Sequence, residues 1–315
     1  MSTALVSGAG GLIGSIVCSE LLRKGFRVIG VDSNDSEKNS SKDNYVFFEG
    51  APNDMNAYAA AFESEQVDYF IHLACSADND FENIIDDEQI SLSRQCDKFI
   101  YQLAIDSNVT HILLLSTTQV YDVKKTREPV REDGELRPVS NYAKMKFDSE
   151  KTLAGLARKN KDKFCCIMRV SPVYTKKFLE NLRSKVYDEK QRVAFLYMKG
   201  DYGFQFCSVY NLSDFILGYI ECADNSSYTG IFNVADKNLI KACEIVAYIR
   251  ENGRLGPVVQ RNFGTENLKN IFANKKGEKT DYRFLDIPNI LNNNGIDNNK
   301  ARRVCVFKWD LNNTK

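Results

Sequence analysis

Short apolar runs, rich in β-branched and aromatic residues, alternate with longer amphipathic stretches through the first 170 residues. Runs at 3–7, 27–31, 45–48, 67–73, 111–116 and 164–170 predict strands, being short, apolar and bounded by polar or turn-forming residues. Between them, apolar spacing predicts helices from the first glycine cluster to Lys24, and over 55–63, 86–107 and 141–159. Such alternation implies a parallel sheet with helices on both faces and right-handed crossovers. The predicted fold class is therefore α/β: a Rossmann-type, doubly wound parallel sheet of about seven strands.

Beyond residue 170 the alternation loosens. A basic helix is predicted over about 176–190, an aromatic strand at 193–197, a helix near 213–223, a strand at 230–234 and a helix at 238–252. The Asn-rich stretch 287–299 reads as exposed loop or short helix. No Pro/Gly/Ser-rich linker separates the halves. The expected organisation is a cofactor domain over 1–174 and a smaller, mixed substrate lobe over 175–315, with some later segments returning to the sheet. The cleft is expected between them, above strands one, four and five.

The first strand runs into Gly8-Ala9-Gly10-Gly11-Leu12-Ile13-Gly14 and then a helix. This is the layout of a dinucleotide-binding βαβ unit. Gly8 allows a tight turn, Gly11 lets the backbone approach a pyrophosphate, and Gly14 permits close helix–strand packing. The pyrophosphate would sit over the amides of Leu12 and Ile13, at the positive end of the helix. The second strand ends at Asp32, followed by Ser33, where a carboxylate can accept both ribose hydroxyls of NAD. A purely structural glycine turn, the alternative, needs no carboxylate there. Asp32 would repel a 2′-phosphate, and the nearest lysine, Lys38, is several residues away, so NAD is expected over NADP.

Charge narrows the partners. Lys plus Arg and Asp plus Glu both number 42, so no net field draws the chain to nucleic acid or anionic membrane. Basic runs such as Lys124-Lys125 and Arg302-Arg303 are short and read as solvated surface. No run of about 18 apolar residues exists to form a membrane span. A strand beginning at residue 3 leaves no room for a signal peptide. The nine cysteines form no Cys-x-x-Cys pair and are expected to be reduced, mostly buried thiols in the cytoplasm. Sequons such as Asn108-Val109-Thr110 would stay unmodified there. His72 and His111 are the only histidines, so neither a metal site nor a histidine-dependent nucleophile is expected.

Chemistry gathers after the fifth strand, at Ser116-Thr117-Thr118-Gln119. Tyr142 and Lys146 are four apart and share one helix face. An ammonium beside the phenol would favour phenolate and bring it toward working pH. Thr117, at a strand's carboxyl end, can donate to a substrate oxygen. The three make a hydride-transfer site, with Tyr142 as acid/base, Lys146 as its tuner and Thr117 as polariser.

The glycine spacing, Thr117…Tyr121, Pro138-Val139-Ser140-Asn141-Tyr142, Tyr142…Lys146…Glu150 and His72-Leu73-Ala74 resemble the extended short-chain dehydrogenase/reductase family over about residues 3–175. That family comprises nucleotide-sugar epimerases and dehydratases. The resemblance implies NAD as cofactor, a nucleotide-sugar substrate, and cofactor contacts at Leu73, Ala74 and Ser116 as well as at Tyr142 and Lys146. It implies substrate contacts at Thr118, Arg169, Pro172 and Phe204. Several positions depart from the family pattern. Pro172 replaces an Asn, Phe204 an Arg, Asn211 an Asp and Ala51 an Asp, and the usual Asn-x-x-Gly-Thr is not recognisable around 92–97.

Dehydratases and decarboxylases of the family carry an acidic residue just after the active-site Thr. Thr118 and Gln119 stand there and do not titrate. Transient oxidation and re-reduction, as in an epimerase, is the expected reaction; a reductase, a dehydratase and a non-catalytic NAD(H)-binding regulator are the alternatives. Aromatics such as Phe195 and Tyr197 read as core. The helices at 86–107 and 141–159 carry Ile90, Phe99, Ile100 and Leu103, and Phe147, Leu153 and Leu156. They are expected to pair into a four-helix homodimer, with a monomer as the alternative.

Overall fold

Strand β1 (Thr3–Ser7) is buried along its whole length, as a central parallel strand covered on both faces must be. The computed structural model describes residues 1–35, 39, 42–75, 85–122, 128–222, 229–252, 255–261 and 295–315. Around β1 assemble β2 (Arg27–Asp32), β3 (Tyr45–Glu49), β4 (Tyr69–His72), β5 (His111–Thr117), β6 (Phe164–Val170) and, from far along the chain, β12 (Gly230–Val234). The resulting seven-stranded sheet has the order β12-β6-β5-β4-β1-β2-β3 and every pairing in it is parallel.

Alternate residues of each strand enter opposite cores. Ala4, Val6, Val28, Ile71, Leu113 and Met168 face α1 (Leu12–Arg23) and α6 (Val209–Glu221). Leu5, Ile29, Phe70, Ile112, Leu114 and Ile167 face α2 (Met55–Ser64), α3 (Asp87–Asp106) and α4 (Asn141–Lys159). The helix starts are set by local chemistry. Asp54 caps α2, Asp86 and Gln89 form a capping box on α3, and Ser140 caps α4.

The smaller lobe uses short pieces. β7 (Val173–Tyr174) pairs with β11 (Cys207–Ser208), and β10 (Gly203–Phe204) with β13 (Ile240–Lys241). β9 (Val193–Tyr197) lies between β8 (Tyr187–Asp188) and β14 (Val258–Arg261). Tyr174, Leu182, Leu196, Phe206 and Ile245 share its core with helix α7 (Ala242–Asn252).

Three expectations for this half fail for local reasons. The basic helix over 176–190 shrinks to α5 (Glu180–Arg183). Thr175 Oγ1 accepts the amides of Lys177 and Phe178, a turn that competes with helix, and the chain then pairs as β8. The helix expected from 238 starts at Ala242, because Ile240 and Lys241 are claimed by β10. The helix expected from 213 starts at Val209, directly after β11; residue 223 lies outside the described residues. Lys38, the Lys124-Lys125 run and most of the Asn-rich stretch also lie outside them. The end of that stretch is pinned rather than loose: Gly295 and Asp297 bond the backbone of Val130, and Asn298 donates to the Ala235 carbonyl.

Candidate active site

At the carboxyl end of β1 the chain turns at Gly8 with φ +74°, and a Cβ there would come within 2.9 Å of the Ala74 amide nitrogen. Gly14 has no room either, since its Cβ would lie 1.9 Å from the Gly8 carbonyl. Gly11 differs: a Cβ would meet protein only at 3.4 Å, ordinary contact distance. What Gly11 leaves clear is the space above the turn. Among the described residues no side chain caps the first-turn amides of α1, so Leu12 and Ile13 begin the helix as an anion cradle requires. Asp32 faces the same turn. Its Oδ2 accepts the Gly10 amide at 2.9 Å and its Oδ1 the Ser33 amide at 2.7 Å. Gly10, expected with the other turn glycines to bind the cofactor, is also the contact between turn and carboxylate.

Strand β5 and helix α4 are tied together where the acid/base chemistry is expected. Thr117 Oγ1 accepts the Gln119 amide at 3.2 Å, which leaves the hydroxyl proton to donate. Ser140 Oγ accepts the Ala143 amide at 3.1 Å and donates to Gln119 Oε1 at 3.4 Å. Asn141 donates to the Ile85 carbonyl, which fixes the start of α4 against the segment leading into α3. Tyr142 then packs with Ile85, Ile90, Met145 and Cys75.

Lys146 is 4% exposed, and its ammonium has no hydrogen bond or ion pair among the described residues. Burial works against its charge, but Cys75, Tyr142, Asp97 and Glu150 outweigh burial and hold Lys146 above the ordinary lysine value. The Tyr142 phenol is corrected in the other sense. Burial raises it above its ordinary value, and Lys146 only opposes that rise. The protein alone therefore does not bring Tyr142 to working pH.

The remaining expected contacts divide. Leu73 and Ala74 are buried, and their amides donate to Ser7 Oγ at 3.2 Å each, which places their backbone against Gly8. The buried Thr118 opens a 3-10 turn (Thr118–Val120), and the half-buried Pro172 accepts the Cys207 amide. The Ser116 hydroxyl turns inward and donates to Glu150.

Arg169, expected to contact substrate, turns into the interior. It is 2% exposed, grips Glu150 with three contacts of 2.7–3.2 Å and lies 4.8 Å from the Tyr121 ring centroid. Tyr121 and Glu150, both parts of the motif, belong to this interior cluster. Phe204, also expected to contact substrate, packs in the small-lobe core beside Tyr202 and Phe206. Phe195 and Tyr197 are buried as expected. Sequence reasoning missed the buried set Ser7, His72, Asp97 and Ser149 beneath Lys146; a polar residue at a strand end facing an acidic helix position was the available signal.

The family model described as the NAD dependent epimerase/dehydratase family matches residues 4–235. The chain belongs to that family. No curated protein matches the chain. Among solved structures, it is similar to the UDP-Glc/GlcNAc 4-epimerase of Campylobacter jejuni, at 22% identity and TM-score 0.77, covering 99% of this chain and 96% of that one. It is also similar to a UDP-glucose 4-epimerase of Thermotoga maritima solved with UDP-glucose, at 19% identity and TM-score 0.63 over 84% and 91% of the two chains. The UDP-glucose 4-epimerase of Bifidobacterium longum, in complex with NAD+ and UDP, gives 19%, 0.65, 82% and 86%.

This family member is thus an NAD-dependent enzyme, and its site fits the cofactor. The clear space at Gly11, the uncapped start of α1, the oriented Asp32 and the buried unpaired Lys146 together suit a pyrophosphate, a ribose diol and a second ribose.

Proposed function

We propose that this protein is a nucleotide-sugar epimerase that oxidises a sugar hydroxyl transiently and reduces it again on the other face. The observation that carries the reading is the tie from Thr117 through Gln119 and Ser140 to Tyr142. It brings a hydroxyl donor, a phenol and a buried ammonium to the carboxyl edge of the sheet, with no second titrating group at Thr118 or Gln119. NAD, when bound, supplies a hydride acceptor that can return the hydride. Tyr142 would take and give back the proton of the substrate hydroxyl at its Oη, Lys146 would stabilise the phenolate, and Thr117 would donate to the reacting oxygen. The kinship with structures holding UDP-glucose, or NAD+ and UDP, supports a UDP-sugar as substrate.

Incubating the protein and NAD with UDP-glucose, UDP-galactose and their N-acetylated counterparts tests this by proton NMR. Interconversion of a pair without accumulating NADH is expected, and Tyr142→Phe should abolish it. Stoichiometric NADH, or loss of water from the sugar, would replace the epimerase reading with a dehydrogenase or dehydratase. The withdrawal of Arg169 and Phe204 into the interior favours one rival, an NAD(H)-binding regulator; it predicts tight NAD binding and no turnover of any sugar.

A further inference from the structure

The stretch where the family pattern breaks down carries a buried carboxylate. Helix α3 places Asp97, 8% exposed, with Oδ1 3.3 Å from His72 Nε2. Ser7 Oγ accepts the amides of Leu73 and Ala74 and lies 2.7 Å from His72 Nδ1. Its lone pairs are engaged by those two amides, so its proton goes to Nδ1. That leaves the Nε2 proton of His72 to point at Asp97, and His72 serves as an oriented donor.

A second donor reaches Asp97 from α4. Ser149 bonds it and pairs in turn with the Tyr101 hydroxyl at 2.7 Å. Asp97, His72, Ser149, Cys75 and Lys146 line one small cavity between α3, α4 and the end of β4. The titratable groups facing Lys146 are Asp97 from α3, Cys75 from the segment after β4, and Tyr142 and Glu150 from its own helix. His72 stands behind Asp97. A buried ammonium without contact partners needs a nearby opposite charge. Two carboxylates face it, and Glu150 is already held by Arg169. Asp97 is the one left.

We propose that Asp97 is a positioning residue: oriented by His72 and Ser149, its carboxylate is the counter-charge that keeps the Lys146 ammonium seated beside Tyr142. Burial opposes ionisation of Asp97, yet the His72 bond and charge, the Ser149 bond and the Lys146 charge outweigh it and hold the carboxyl below its ordinary value. The consequence for catalysis rests on the epimerase reading; the charge pairing does not.

The test is a pH titration of Lys146 followed by carbon NMR on lysine-labelled protein, with Lys146→Arg used to assign the signal. In the parent, Lys146 should titrate above the ordinary lysine value. In Asp97→Asn, which keeps the shape and the acceptor for His72, the midpoint should fall by about one unit or more, a tenfold change. Asp97→Ser is a second neutral variant and decides the matter should Asp97→Asn not fold. Asp97→Glu should restore the parent midpoint. An unchanged midpoint in a folded neutral variant would overturn the proposal, because a merely structural Asp97 would leave Lys146 unmoved. The shift without turnover of any UDP-sugar would sink the epimerase reading and leave the pairing standing.

Discussion

Gly10 gives its amide to Asp32 at 2.9 Å, and a Cβ on Gly10 would lie 1.9 Å from the Asn34 carbonyl. The segment that follows Asp32 therefore lies directly over the glycine turn, and the two halves of the expected cofactor site hold each other.

The glycines should separate by phenotype. Gly14→Ala collides with backbone on the protein side and is expected to cost about 1–3 kcal/mol of stability. Gly11→Ala meets nothing closer than 3.4 Å, so its melting temperature should stay near the parent's. Its NAD affinity should nonetheless drop at least about tenfold, because the added methyl occupies the cradle. Gly10→Ala should push away the Asn34 segment and weaken NAD as well. Thermal melts and calorimetric NAD titrations read both properties, and a Gly11→Ala that binds NAD normally would remove the cradle from the model of the site.

Cofactor choice should follow Asp32. Its carboxylate, oriented by Gly10 and Ser33, would meet a 2′-phosphate with like charge. NAD should bind more tightly than NADP, and Asp32→Asn should narrow the gap by about tenfold or more. Calorimetric titration of both nucleotides on both proteins decides it; NADP binding as tightly as NAD in the parent would be fatal to the assignment.

The main sheet was legible because each strand is a short apolar run with a turn signal at its end, and Phe164–Val170 and Asn141–Lys159 fall on the predicted bounds. The smaller lobe was not, because two-residue strands such as Ile240–Lys241 exist only through partners distant in sequence. Glycine spacing and the Tyr142–Lys146 interval are local signals. The fates of Arg169 and Phe204 are not, since an Arg that binds phosphate and one that neutralises Glu150 look alike in sequence. The same holds for Asp97, whose meaning depends on His72, on a different element.

The Arg169–Glu150 pair gives a stability prediction. Glu150→Gln leaves a buried guanidinium without its counter-charge and should cost about 3–5 kcal/mol. Replacing both partners with apolar residues, as in Arg169→Met with Glu150→Leu, should recover most of that loss. Urea unfolding of the three variants measures it. If Arg169→Met alone lowered substrate affinity with stability intact, Arg169 would be returned to the substrate site.

Asp236 should make stability depend on pH. Its carboxyl accepts from Tyr174, Asn211 and the Ser208 amide, yet burial still raises it to about 6. The folded state therefore holds this proton more tightly than the unfolded chain does. The associated stabilisation is fully present below about pH 4 and is lost as pH rises through about 6, a swing on the order of 2–3 kcal/mol. Relative to Asp236→Asn, the parent should thus be favoured more at pH 4 than at pH 7. Denaturant titrations at the two pH values give the difference, and a gap that does not change with pH would refute it.

The last prediction concerns self-association. On α3 and α4, Ile90, Ile100 and Leu153 turn inward. Phe99, 39% exposed, and Leu92, 40% exposed, remain outside on α3, and Phe147 is half-buried on α4. Around them Arg94 pairs with Asp148, and Lys151 also reaches Asp148, so the surface is mixed rather than apolar. A twofold pairing of these helices would cover both aromatics, with charges kept to the rim, where they contribute little. We expect a homodimer that weakens with dilution, and Phe99→Glu should shift it to monomer while leaving the melting temperature of the monomer unchanged. Light scattering across a micromolar concentration series reads this directly. A parent that scatters as a single chain at every concentration would rule the dimer out.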